Sequence, residues 1–110
     1  MKKSTRGFTL VEIMIALMIL TLLAAISYPT YEKSRSNAQR SVCQNNLKII
    51  AGEADVYLFE VPGRTDVTLS DLAGRFKSGS IPVCPSGGTY SLNVNTDPIV
   101  TCDHGDGHTL

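Results

Sequence analysis

A chain of 110 residues has room for one small domain, since roughly 100 to 200 residues go to each domain in ordinary proteins. Ten Lys plus Arg balance ten Asp plus Glu, so neither a basic nucleic-acid coat nor an acidic disordered tail describes the chain as a whole. The hydrophobic share, 43%, is ordinary in amount but not in distribution, because the apolar residues gather near the N-terminus.

From Phe8 to Ile26 the chain reads FTLVEIMIALMILTLLAAI, nineteen residues in which Glu12 is the only charge. As a helix rising 1.5 Å per residue, this run covers about 28 Å, close to the roughly 30 Å hydrocarbon core of a bilayer. A wholly cytosolic enzyme does not fit such a segment. Lys2, Lys3 and Arg6 precede it without any acid, which by the positive-inside rule keeps the N-terminus cytoplasmic and sends the rest of the chain across the membrane. A cleaved secretory signal is the rival reading. Against it stand the length of the run, the carboxylate near its start, and the following SYPTYEKSR, which offers no good small-x-small site.

A short basic leader ending in Gly7, then Phe8-Thr9-Leu10-Val11-Glu12 opening an apolar helix, resembles the class III signal of type IV pilins and type II secretion pseudopilins. The resemblance implies that a prepilin peptidase cuts between Gly7 and Phe8 and methylates the new amine of Phe8. The chain then divides into a leader (1–7), a transmembrane and assembly helix (8–28) and a periplasmic pilin-like domain (29–110). Residues 8–110 number 103 and carry seven basic against ten acidic side chains. Glu12 is the position such families use to meet the N-terminal amine of a neighbouring subunit. On physical grounds too, a carboxylate in an apolar helix costs a few kcal/mol and calls for a partner or a shallow, interfacial position. Pro29 matches the proline that pilins commonly carry here, although Thr21 stands where many have a glycine.

Beyond Pro29 the sequence still reads as helix, so the expected element is long and kinked rather than interrupted. Cys43, Leu47, Ile50, Ala54 and Leu58 form one apolar stripe at helical spacing. Val61-Pro62-Gly63 ends the helix and opens a loop to about Thr68, after which cap-type residues precede one or two helical turns over 72–77. Thr89–Val94 alternates at the strand period and Ile99–Cys102 returns against it. The expected fold is α+β, a long N-terminal helix, transmembrane in its first half, laid on a small antiparallel sheet. The stretch Pro82-Val-Cys-Pro-Ser-Gly-Gly-Thr-Tyr90, with Cys102 and the closing Gly107-His-Thr-Leu110, also resembles short bacterial pseudopilins.

Three cysteines on the far side of a membrane can form disulfides. Joining Cys84 to Cys102 would close a nineteen-residue loop around the hairpin, for which chain entropy suggests about 3 kcal/mol. Cys43, on the helical stripe, reads as an apolar packing residue or as a partner for either of the other two. Adding His104 to the three thiols gives a zinc-type donor set, but the spacing matches no familiar zinc pattern. Asp97, Asp103 and Asp106 are oxygen donors in a polar tail. Major pseudopilins resemble this chain in having a calcium loop near the C-terminus, so these three are the calcium candidates, while the plainer reading is a solvated tail with no cofactor.

The resemblance implies a structural subunit that is not an enzyme. It would assemble from the inner membrane, with copies of itself, related pseudopilins and an assembly platform, into a short pilus driving type II secretion. The alternative is a type IV or DNA-uptake (competence) pilus subunit. The net charge of 8–110 disfavours general phosphate binding, so nucleic acid enters only under that alternative. An anchored enzyme built from His104, His108, Asp103 or Asp106 and Ser86 is the remaining class, with little core in which to form a substrate cavity.

Overall fold

An uninterrupted helix, α1 (Leu10–Glu60), takes up 51 residues of the computed structural model, which describes residues 6–105 and 107–110. It is followed by a single helical turn, α2 (Leu69–Leu72), a 3-10 turn (Ala73–Arg75) and two strands, β1 (Tyr90–Leu92) and β2 (Val100–Cys102). The chain forms two compact units, one ending at Arg35 and one running from Ser36 to Leu110.

In the first unit every described residue is exposed, including Leu10, Val11, Ile13, Met14, Ile15 and the other large apolar side chains up to Ile26. Such a surface is stable only against lipid or other apolar helices, and α1 is long and apolar enough to cross a bilayer. Pro29 lies inside α1 without ending it. On either side of it, Ser27 Oγ donates to the Leu23 carbonyl at 2.8 Å and Thr30 Oγ1 to the Ile26 carbonyl at 3.2 Å.

In the second unit the stripe read from the sequence is the buried face of α1. Cys43, Leu47, Ile50 and Ala54 have no exposed surface, and Leu58 is half-buried where the helix nears its end. Val67, Leu72, Cys84, Tyr90, Val100 and Cys102 complete the core against them. α2 is set by Asp71, whose Oδ2 accepts from the Thr68 amide at 3.0 Å and the Thr68 hydroxyl at 2.7 Å. Arg75 then reaches back to α1, bonding Glu60 at 2.8 Å and Glu53 at 3.3 Å.

β1 and β2 pair antiparallel, with Tyr90 opposite Cys102, Ser91 opposite Thr101 and Leu92 opposite Val100. Tyr90, Val100 and Cys102 face inward, while the hydroxyls of Ser91 and Thr101 meet at 2.7 Å on the outer side. The strands are shorter than the alternation over 89–94 and 99–102 predicts. The last ladder bond at the turn runs from the Asn93 amide to the Ile99 carbonyl at 2.7 Å; there Asn93 Oδ1 accepts from the Asn95 amide at 3.0 Å and the Asn93 carbonyl from the Thr96 amide at 3.2 Å, which closes the turn.

Candidate functional site

Two places carry the residues singled out above, one in each unit. At the start of α1, Thr9 and Glu12 exchange hydrogen bonds. Glu12 Oε2 accepts from the Thr9 amide at 3.0 Å, and Thr9 Oγ1 accepts from the Glu12 amide at 3.2 Å. This is a capping box, S/T-x-x-E, which satisfies two amide donors that a helix start leaves open. The pattern was legible in the sequence, but a carboxylate in an apolar run draws attention to its charge before its position. Gly7 and Phe8 precede the helix and are exposed.

The second place is the junction of α1, the loop after the 3-10 turn, β2 and the C-terminal segment. Cys43 comes from α1, Cys84 from the loop, Cys102 from the end of β2 and His108 from the tail, and one donor atom from each lies within 4.8 Å of all the others. All four are buried, and His108 is the buried polar residue among those described. No pair of the cysteines is joined, so the Cys84–Cys102 and Cys43 disulfides considered from the sequence are thiols in contact here.

Several hydrogen bonds hold this arrangement. Gln44 Nε2 donates to the carbonyls of Gly107 and Thr109 at 3.0 and 3.1 Å, clamping the tail on α1 on both sides of His108. The imidazole Nδ1 of His108 lies 3.4 Å from Cys84 Sγ. The Tyr90 hydroxyl donates to Cys43 Sγ at 3.6 Å and accepts from Asn46 Nδ2 at 3.2 Å. Asn46 Nδ2 also donates to the Val83 carbonyl at 3.1 Å, fixing the loop that carries Cys84. The loop runs close beneath β2: a Cβ on Gly88 would stand 2.5 Å from Cys102 Sγ and 2.8 Å from His104 Cβ.

The thiols differ in their electrostatics. Burial pushes Cys43 up to about 12, against the opposing hydrogen bond from Tyr90. Burial acts on Cys84 in the same sense, but the amides of Ser86 and Gly88 directed at it, together with the neighbouring thiols, outweigh burial and hold it below the usual thiol range. Burial also raises the Tyr90 phenol.

The other candidates are placed apart. Asp97 sits in the turn between the strands and Asp103 at the opposite end of the hairpin, where its Oδ1 accepts from the Thr89 amide at 2.6 Å. Among the described residues, these two join no group of three or more metal donors, and Asp106 lies outside the described residues. Ser86 donates to Gln39 Oε1 at 3.4 Å, and His104 stacks tilted on His108 with ring centroids 4.4 Å apart. His104 belongs beside the thiol cluster, and it is His108 that enters it. Spacing alone could not separate the two histidines, because the tail's path is fixed by Gln44.

A membrane-length apolar helix continuing into the core of a small domain defines the class of a membrane-anchored, helix-packed subunit. Comparison with known proteins gives the family. Residues 2–28 match the prokaryotic N-terminal methylation motif. Over 86 residues the chain is 30% identical to the competence protein ComGC of Halalkalibacterium halodurans, covering 78% of this chain and 82% of that protein. It is 29% identical over 82 residues to ComGC of Bacillus subtilis, covering 74% of this chain and 83% of that one. Type II secretion system core protein G of Pseudomonas aeruginosa is 36% identical over 56 residues, which is 51% of this chain but 39% of that protein. No solved structure matches the chain. The chain belongs to the type IV pilin-like family, the group that includes the pseudopilins, and it is a subunit of that type. Subunits of this family are prepilin peptidase substrates and polymerise into filaments.

Proposed function

We propose that this chain is the structural subunit of a DNA-uptake (competence) pilus, held in the cytoplasmic membrane by α1 until it is drawn into the filament. The observation that carries this reading is coverage. The N-terminal helix is shared by pili and secretion filaments alike and does not tell them apart. Relatives that align through the soluble unit as well, over more than four-fifths of their own length, are named competence proteins. The prepilin peptidase cuts between Gly7 and Phe8 and methylates Phe8; Glu12 meets the amine of the next subunit as it docks. The N-terminus faces the cytoplasm and the unit from Ser36 onward faces outward. The protein works by assembly, with no catalytic step of its own.

A type II secretion pseudopilin is the second reading, supported by the 36% identity to core protein G. Deleting the gene in its native host and measuring both transformation by added DNA and export of secreted enzymes separates the two. Loss of transformation with export intact is expected. Loss of export with transformation intact would replace the first reading by the second, and a mature N-terminus other than methylated Phe8 would overturn both.

A further inference from the structure

We propose that Cys43, Cys84, Cys102 and His108 bind one structural zinc ion that ties α1, the 82–88 loop, β2 and the C-terminal segment together. The inference stands on the soluble unit's geometry and is independent of which filament the subunit builds.

The first argument is the number and kind of donors. Three thiols and one imidazole form a closed four-ligand set of the Cys3His type, which suits tetrahedral zinc. A disulfide would use two of the three sulfurs and leave the third buried beside it, whereas one ion uses every donor present. The second argument is distance. With Zn–S near 2.3 Å and Zn–N near 2.0 Å, tetrahedral donors stand about 3.6 to 3.8 Å apart. The four donor atoms here already lie within 4.8 Å of one another, and Cys84 Sγ and His108 Nδ1 are 3.4 Å apart. A contraction of about 1 Å or less, reached by small side-chain rotations, closes the shell.

Outer groups supply the third argument. Metal-bound thiolates carry negative charge that needs hydrogen-bond donors around it. The amides of Ser86 and Gly88 point at Cys84, and the Tyr90 hydroxyl points at Cys43. Gly88 has no side chain where a Cβ would press on Cys102 Sγ, so the loop can wrap the cluster this closely. The ion would also compensate for the small core, since four elements separated by up to 65 residues in sequence meet at one point.

The test uses the full-length chain in detergent. Purified under metal-free buffers, it should carry one zinc per chain by elemental analysis. After reduction and chelation, added cobalt(II) should give the thiolate-to-metal charge-transfer band and intense visible bands of a tetrahedral site, saturating at one equivalent and displaced by zinc. His108→Ala should weaken metal binding by at least about tenfold, the loss typical of even an outer-shell group. His108→Cys, which keeps a donor at that place, should retain one metal with a stronger charge-transfer band; a packing role would not predict this rescue. His104→Ala should leave binding unchanged. A chain lacking zinc and lighter by two hydrogens than its reduced form would overturn the proposal in favour of a disulfide. So would iron in place of zinc, an octahedral cobalt spectrum, or equal binding by the wild type and His108→Ala.

Discussion

Glu12 and Thr9 cap the start of α1 reciprocally, with carboxylate to amide at 3.0 Å and amide to hydroxyl at 3.2 Å. The carboxylate therefore sits at the third position of the helix, next to the positive end of its dipole, rather than midway along an apolar cylinder. This separates two roles that a simple deletion would confuse. Glu12→Gln keeps an oxygen that can cap but removes the charge, while Glu12→Leu removes both. Amide exchange over residues 10–13 should be nearly unchanged in the Gln variant and faster in the Leu variant. Thr9→Ala should cost about 1 kcal/mol of helix-start stability, as caps usually do. Filament incorporation should fail in both Glu12 variants, and a Gln variant that assembles like the native chain would show that capping alone explains Glu12.

Gly88 and Gly52 should respond oppositely to alanine. A Cβ at 88 would meet Cys102 Sγ at 2.5 Å, and one at 52, on the exposed face of α1, would meet nothing within 4 Å. Gly88→Ala should lower the unfolding free energy by about 1 to 3 kcal/mol through overpacking. Gly52→Ala should raise it by about 0.5 to 1 kcal/mol, the helical advantage of Ala over Gly. Denaturant unfolding of the full chain in detergent reads both.

Core truncations on α1 should scale with the volume removed. Leu47 and Ile50 have no exposed surface. Ile50→Val should cost about 0.5 to 1.5 kcal/mol, and Leu47→Ala about 2 to 5 kcal/mol. For a unit of this size the larger loss approaches the whole stability, so Leu47→Ala should be largely unfolded at 37 °C while Ile50→Val stays folded. Far-UV circular dichroism melts distinguish them.

Acid should release the α2 cap. The hydroxyl and amide of Thr68, with Arg64 3.6 Å away adding to them, hold the Asp71 carboxyl below the usual carboxylate range. A carboxyl lowered on folding contributes stability above its unfolded value and loses it as pH falls through the folded value. The stability gap between the native chain and Asp71→Asn should therefore be present at pH 7 and close as the pH drops below the ordinary carboxylate range. A gap independent of pH would mean that the carboxylate charge plays no part.

Much of this protein was settled locally by its sequence. Nineteen apolar residues behind a basic leader, the Gly7–Glu12 motif, and the four- and three-residue spacing of Cys43, Leu47, Ile50 and Ala54 depend on neighbours along one helix, and periodicity reads such relations directly. The capping pair Thr9 and Glu12, three residues apart, was equally open to reading. The strand ends were less so, because local bonds to the Asn93 side chain and carbonyl close the turn immediately after the last ladder bond. Only the tertiary structure decided which histidine joins the thiols and where the aspartates go. His104 and His108 differ by four residues in a glycine-rich tail, and the choice rests on Gln44 clamping residues 107 and 109 from 63 and 65 positions away. Asp97 and Asp103 are only six residues apart in sequence but fall at opposite ends of a hairpin. Contacts made by chain return, unlike contacts along a helix, leave no period in the sequence to be read.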